Sequence, residues 1–402
     1  MTKFIKFLMF LFFIGVGAYL GKPLWYFVTN TLAPEVKCKR LSENPNFKGI
    51  ADFELEVKSV CSLCDLQVSV DEKPLEIDLT DIKGKISSKP KITFNASGLD
   101  DGEHTFCITA VDGGYKSSKK TVKYPFFVDN LPLRAELVRG EHCVKQGQTL
   151  HITVQANKST ASIDLKFAED IFKFAQSRPN SAFYECFVPI DCDAAIGKVP
   201  FEVCATDSVG NKTVMTGGAK IVAANFSKKA NLSISSAKLA DEREKSVSDA
   251  VLGSALEKWT KSSSEEKLWS GPFEVPTIVQ RYSTPFGEIR TTPEKGRYVH
   301  KAVDIVNSPK AVVWASQSGK VIIKERFWMT GNTVAIDHGM GVLTLYCHLD
   351  DFSDIDVGDM VQKGNPVGKI GRTGYATGYH LHWELRVNNM AVDPLQWTKR
   401  TF

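Results

Sequence analysis

Short runs in which apolar and polar residues alternate, each broken by a Gly, Asp or Asn turn, fill most of this chain and constrain its fold more than any other feature. Between about Phe47 and Asn225 they include Phe53-Glu-Leu-Glu-Val57, Leu66-Gln-Val-Ser-Val70, His104-Thr-Phe-Cys-Ile108 and Leu150-His-Ile-Thr-Val154, separated by turns such as Asp100-Asp-Gly102 and Asp112-Gly-Gly114. Successive side chains on a strand point to opposite faces, so a period of two predicts half-buried β-strands, and their number and spacing predict β-sandwiches. Ala110-Val-Asp112 followed by Gly113-Gly114 recurs as Ala205-Thr-Asp207 followed by Val209-Gly210-Asn211, about 95 residues later. That interval is the size of one immunoglobulin-like module and predicts two such modules in tandem. His104, His142 and His151 fall here and read as strand or turn residues.

The ends of the chain differ from this region. Lys3 and Lys6 precede an apolar run, Phe7 to Leu20, and after Lys22-Pro23 apolar residues resume at Leu24 to Val28. A basic start before an apolar core without a polar face predicts an export signal, read here as an uncleaved membrane anchor in preference to a cleaved signal peptide. Eight of the nine cysteines then lie between Cys38 and Cys204. An even set behind an export signal predicts disulfides in an oxidising compartment, with no pairing assignable. Cys61-Ser-Leu-Cys64 has the alternative reading of a redox pair or half a zinc site, but no second Cys-x-x-Cys or matching His pair accompanies it. The formal charge of +4 is too small to make nucleic acid a partner.

From Ser227 to Ser270 the composition shifts to Ser, Lys, Ala and Glu, and Val247, Val251, Ala255 and Trp259, flanked by Leu252 and Leu256, recur at helical spacing. This predicts a connector with one amphipathic helix, read as a spacer, docking on the next domain being the alternative. Beyond it Val312 to Ala315, Gly319 to Ile323, Thr333 to Ile336, Leu343 to Tyr346, Val367 to Ile370 and Leu381 to Leu385 read as closely spaced strands with glycine turns. No long helical period intervenes, which predicts an antiparallel β-domain.

All the remaining histidines, 300, 338, 348, 380 and 382, are in this last domain. His300-Lys-Ala-Val-Asp304 sets an imidazole and a carboxylate four residues apart, on one face of a helix or of a strand. His380-Leu-His382 points two imidazoles to one side of a strand. A His and an Asp from one segment and a His from another supply three ligands, and zinc with three protein ligands keeps its fourth position for water, which it acidifies toward neutrality. Only one imidazole of the pair need bind the metal, and His348 is a further candidate. Amide hydrolysis also needs a proton acceptor and a donor to the tetrahedral oxyanion, roles that two non-ligand histidines meet.

The wider string is His300-Lys-Ala-Val-Asp304-Ile, Gly331 to Gly341 with His338, Thr344-Leu-Tyr-Cys-His348-Leu349, Val357 to Gly364, and Gly371 to Glu384 with His380-Leu-His382. In this order it closely resembles the lysostaphin-like (LytM-type) zinc metallopeptidases of bacterial peptidoglycan, over about Phe273 to Trp397. The resemblance implies His300, Asp304 and His382 as zinc ligands and His348 and His380 as the catalytic pair, His380 as general base and His348 as stabiliser of the tetrahedral intermediate. Glu384 reads equally as a partner orienting a histidine and as a solvent-facing strand residue. His338 reads as structural, Cys347 as an inert core residue, and Asn332 as shaping a turn. Ala302 stands where the family often has glycine, a departure that adds a methyl and removes no ligand. The segment Gly271 to Arg290 resembles the lead-in of exported members and is expected to wall the substrate groove.

The fold expected is mainly β: a signal anchor or transmembrane segment at 1–30, immunoglobulin-like β-modules at 31–130 and 131–226, a helical connector at 227–270, and a lysostaphin-like antiparallel domain of the duplicated hybrid motif type at 271–402. The expected activity is a Zn2+-dependent endopeptidase acting on peptidoglycan cross-links or stem peptides. Its alternative is a non-catalytic regulator that binds peptidoglycan and activates another wall hydrolase. Expected partners are peptidoglycan, the cytoplasmic membrane through the N-terminal segment, and a regulatory protein, with the bulk of the chain outside the cytoplasm in the bacterial cell envelope.

Overall fold

The computed structural model describes residues 32–78, 80, 82–229, 242–292 and 296–402. The proposed anchor at 1–30 lies outside them, and among the described residues no helix is long and apolar enough to cross a membrane. The fold is mainly β, in two compact units: the residues through Pro132 with Ser208–Gly210, and Leu133–Asp207 with Asn211–Phe402.

In the first unit a five-stranded sheet centres on Gly102–Asp112, flanked by Leu63–Val70 and Lys119–Val128. The alternation in the sequence sets its packing: Phe106, Ile108 and Ala110 are buried and stand opposite the buried Val70, Val68 and Leu66. Phe47, Phe94, Phe106 and Phe126 fill the interior with centroids 4.3–5.8 Å apart.

The second unit opens with a four-stranded and a five-stranded sheet, whose central strands are Thr149–Ala156 and Gly197–Thr206. Ile152, Val154, Leu165, Val203 and Ala205 share one buried core. The internal echo marks a pair of buried turn aspartates. Asp112 Oδ1 accepts from the Gly114 and Ser118 amides at 3.0 and 3.1 Å, and Asp207 Oδ1 accepts from the Asn211 amide at 2.7 Å.

The disulfide expectation is corrected here, because among the described residues, which include all nine cysteines, no disulfide forms. For four of the eight expected cysteines, register excludes a cross-strand bridge. Cys107 stands opposite Ser69 and Lys123, Cys143 opposite Lys220, Cys186 opposite Ile152, and Cys204 opposite Asp164 and Val214. An even count of cysteines does not bring any two of them face to face.

The rest of the second unit is built on a ten-stranded sheet. Helix α1 (Glu242–Lys261) precedes strands β1 (Arg281–Thr284), β2 (Ile289–Thr292), β3 (Gly296–Val299), β4 (Val303–Val306), β5 (Val312–Trp314), β6 (Gly319–Phe327), β7 (Gly331–Asp337), β8 (Val342–Phe352), β9 (Met360–Val361), β10 (Pro366–Ile370), β11 (Leu381–Val387) and β12 (Met390–Val392), and helix α2 (Pro394–Lys399) follows. The main path runs β1-β4-β11-β8-β7-β6-β9, with β12 on β11, β10 on β8 and β5 on β10; β2 and β3 form a separate hairpin with Lys228–Lys229. Every pairing in the ten-stranded sheet is antiparallel, as the absence of crossover helices in the sequence requires.

The connector is more than a spacer. Leu252 and Leu256 of α1 are buried against Ile322, Ile323, Phe327, Leu343, Leu345 and Cys347, with Ala255 and Trp259 beside them. Val247 and Val251 lie on the exposed face, so the helical period was legible but only the Ala255 and Trp259 half of the four-residue stripe docks. A second docking joins the preceding β-module to the same sheet. Its Phe187 packs among Trp269, Phe273, Trp397 and Phe402, the Thr149 amide and carbonyl bond the Gln396 side-chain amide at 2.7 and 2.9 Å, and Trp397 Nε1 donates to Thr149 Oγ1 at 3.0 Å. These buried polar groups satisfy one another, which makes the contact specific as well as apolar.

Candidate metal centre

Two adjacent strands bring Asp304 and His382 together. Asp304 on β4 stands directly opposite His382 on β11, and alternation puts both on the face away from Val303, Ile305, Leu381 and Trp383, which fill the core. His382 Nδ1 is 3.0 Å from Asp304 Oδ1. His300 reaches the same oxygen, with Nε2 at 3.2 Å, from the loop between β3 and β4 and not from a strand or helix. The ligand atoms of His300, Asp304 and His382 all lie within 4.8 Å of one another.

The set fits a metal ion. Four ligands at 2.0–2.1 Å in a tetrahedron have edges of about 3.3 Å, and the two contacts to Asp304 Oδ1, at 3.0 and 3.2 Å, match such edges. The ring of His300 is oriented by its other nitrogen: Nδ1 lies 3.4 Å from the Pro285 carbonyl, which can only accept, so with a metal bound a proton on Nδ1 would leave the Nε2 lone pair for the ion. Ala302, between the two ligand positions, is fully buried, so its methyl is accommodated. Glu384 Oε2 lies 3.9 Å from His382 Nε2, beyond a hydrogen bond, while Arg386 Nη1 holds the other carboxylate oxygen at 3.3 Å. The carboxylate therefore acts on His382 through its charge.

His348 and His380 complete the cluster. His380 Nδ1 donates to the Gly378 carbonyl at 2.9 Å, and its Nε2 is 3.8 Å from Asp304 Oδ1. His380 and His382 thus face one side, as their spacing predicts. His348 required a break in alternation. Cys347 is opposite His382 and shares its face, so a regular β8 would send His348 to the other face. A register shift against β7 between Asn332 and Val334 adds a residue to β8 there, and His348 has φ 60°, a left-handed conformation unusual for a residue with a side chain. Its ring consequently lies 4.8 Å from that of His380 and 5.7 Å from that of His382. The bend is held at both ends: the His348 amide donates to the Thr330 carbonyl at 2.7 Å, and Nδ1 to the Thr373 carbonyl at 2.9 Å.

Electrostatics follow from burial among like groups. Burial opposes the charge on Asp304, but the His300 and His382 imidazoles outweigh it and hold the carboxyl far below the usual carboxylate range. Burial also lowers His382, and Asp304 overcomes that and raises it. His348 has no such anion in contact; burial, then His382 and His380, push it down to about 3, which keeps it neutral. Burial pushes the Cys347 thiol up, so it is inert.

Sequence reasoning missed a second polar cluster beside the ligands. Thr284 is paired with Asp304 across β1 and β4, and its Oγ1 accepts from Arg290 Nη2 at 2.9 Å. Arg290 Nε also bonds Glu288 at 2.8 Å, and Glu288 is buried with Lys229 3.1 Å away. The lead-in that was expected to wall the groove supplies this cluster. Asn332 donates to the Asp350 carbonyl at 3.1 Å, a structural role.

Residues 298–394 match the model of peptidase family M23. This C-terminal region is an M23 peptidase domain. All five residues of the cluster lie within the M23 match. A similar stretch occurs in the DD-carboxypeptidase/endopeptidase Mpg of Neisseria meningitidis, 38% identical over 127 residues, which are 31% of this chain and 29% of that protein. Another is in the peptidoglycan DD-endopeptidase ShyB of Vibrio cholerae, 32% identical over 125 residues, 31% of this chain and 29% of the relative. The chain thus aligns with less than a third of these relatives' length. Among solved structures, the catalytic domain of lysostaphin from Staphylococcus simulans is 25% identical with a TM-score of 0.24, covering 36% of this chain and 97% of that one. A zinc-containing peptidase from Vibrio cholerae is 15% identical with a TM-score of 0.30, covering 73% and 81%.

Proposed function

We propose that the chain is a zinc-dependent endopeptidase that hydrolyses peptide bonds of bacterial peptidoglycan. The observation that carries this reading is the convergence of His300 Nε2, Asp304 Oδ1 and His382 Nδ1 beside two further imidazoles that are anchored through Nδ1. His300, Asp304 and His382 would hold the zinc. A zinc ion there supplies the Lewis acidity that makes water nucleophilic near neutral pH. The peptidoglycan substrate is taken from the Neisseria and Vibrio relatives, whose names give the activity; the site alone specifies metal-assisted amide hydrolysis.

His348 and His380 are the proton-handling pair. With each Nδ1–H committed to a carbonyl, each Nε2 offers a lone pair to the site. His380 is the general base. His348, kept neutral, accepts a hydrogen from the attacking water and orients it. The proton that His380 takes at its Nε2 from the attacking water is the one the leaving amine needs. The alternative of a non-catalytic activator has no observation in its favour, since no member of the five-residue set is missing.

Around this domain we read 31–130 and 131–226 as immunoglobulin-like modules and 1–30 as an anchor that tethers the protein to the cytoplasmic membrane, with the bulk outside the cytoplasm. The decisive assay is digestion of purified peptidoglycan by the full chain, with fragments identified by mass. Expected are peptide-bond fragments that vanish with a chelator, return with zinc, and fall by about 10²- to 10⁴-fold in His348→Ala. No chelator-sensitive fragment from any wall type, with His348→Ala equal to wild type, would overturn the reading.

A further inference from the structure

Two of the three proposed ligands are fixed by sheet register, but His300 lies off the sheet and needs another support. Its backbone is held by the Pro285–Glu288 segment: the Gly287 amide donates to the His300 carbonyl at 2.8 Å, and the His300 amide to the Glu288 carbonyl at 3.0 Å. The same segment supplies the Pro285 carbonyl to the ring. What fixes the segment is the preceding β-module. Phe286 is buried in one cluster with Cys192 of that module. Gly147 of the module lies so close that a Cβ there would meet Phe286 Cε1 at 2.6 Å and Cys192 Sγ at 3.4 Å.

The residues on either side of His300 are tied to the same turn. Arg297 makes two bonds to Asp193, Nη1 to Oδ2 at 2.9 Å and Nη2 to Oδ1 at 2.5 Å, and Lys301 Nζ is 3.8 Å from Asp191 Oδ2. The turn itself is braced, since the Asp193 amide bonds Asp191 Oδ1 at 2.7 Å and the Gln146 side chain bonds the Ala194 carbonyl at 2.7 Å. Two carboxylates two residues apart thus grip cations three residues before and one residue after the ligand, with Cys192 between them packed on Phe286.

We propose that the Asp191-Cys192-Asp193 turn of the second β-module is a positioning clamp for His300, so that this module sets the affinity of the metal centre. The proposal rests on the reading of His300 as a ligand. Bidentate arginine–carboxylate geometry has a planar fork with little freedom, which is what holding an off-sheet loop requires. Because the charges are solvent-exposed, the effect per pair is modest.

The test measures zinc affinity of the full chain by competition with a chromophoric chelator, alongside thermal unfolding. Asp193→Asn should weaken zinc binding by about threefold and the Asp191→Asn/Asp193→Asn double variant by about tenfold, a range consistent with one and two exposed pairs. The charge swap Asp193→Arg/Arg297→Asp should recover affinity to within about twofold of wild type, which loss of fold could not produce. A double variant that binds zinc as wild type does, while His300→Ala loses it, overturns the clamp and leaves the ligand reading intact. Retention of zinc by His300→Ala would instead remove the ligand reading on which the clamp depends. Lower melting temperature with unchanged zinc affinity also counts against the clamp.

Discussion

His338 gives the sharpest test of how burial is used in this domain. It follows β7, is fully buried, and spends both ring nitrogens: Nδ1 donates to the Ser318 carbonyl at 2.7 Å and Nε2 lies 2.8 Å from Thr344 Oγ1, with the Phe273 ring 5.0 Å away. Burial pushes its pKa down to about 4. An unfolded histidine titrates near 6.5, so between these values the unfolded chain binds the extra proton and the folded one does not. The stabilisation is therefore complete above about pH 6.5 and is lost as pH falls through about 4. At 1.36 kcal/mol per pH unit the full loss is about 3 kcal/mol, of which about 2 kcal/mol has gone at pH 5. His338→Asn keeps a donor near the Ser318 carbonyl and removes the titration. Urea unfolding of both proteins at pH 7.5 and pH 5 isolates the effect, because the other ionisable groups are common to them. The variant should start less stable and lose about 2 kcal/mol less than wild type between the two pH values. Equal losses would refute the assignment of a buried neutral imidazole.

Two further outcomes follow from packing. Leu256→Ala empties a site on the docked face of α1 and should cost about 2–5 kcal/mol in urea unfolding, whereas Val251→Ser on the exposed face of the same helix should stay within about 0.5 kcal/mol of wild type. Gly331→Ala combines a φ of 64° with a Cβ 2.4 Å from Thr373 Oγ1 and 2.5 Å from the Thr373 backbone. Displacing Thr373 moves the carbonyl that orients His348, so peptidase turnover should fall at least about tenfold while zinc binding by competition titration is unchanged.

The alternation of side chains told which residues are strand and which face each takes, while the grouping of His300, Asp304, His348, His380 and His382 was what the resemblance to the lysostaphin-like peptidases implied. His380 and His382 face one side because strand geometry has a period of two, and a sequence displays that period directly. Sequence also carried the turn aspartates Asp112 and Asp207 as an internal echo. It did not carry what depends on contacts between distant segments. Whether two strand cysteines meet across a sheet is set by register, and here the register sets Cys107, Cys143, Cys186 and Cys204 opposite other residue types. Which stripe of α1 docks depends on the shape of the sheet beneath it, so Leu256 is buried and Val251 is not. His348 would face the wrong way in a regular strand, and only the bulge against β7, with its left-handed residue, turns it into the cluster. His300 is tied down by a turn more than a hundred residues earlier in the chain. The sequence by itself determined the chemistry available and the local geometry of each strand, because these follow from residue type and a short period. The tertiary structure alone decided the meeting of those groups, because register, bulges and docking are settled by long-range packing that no local period encodes.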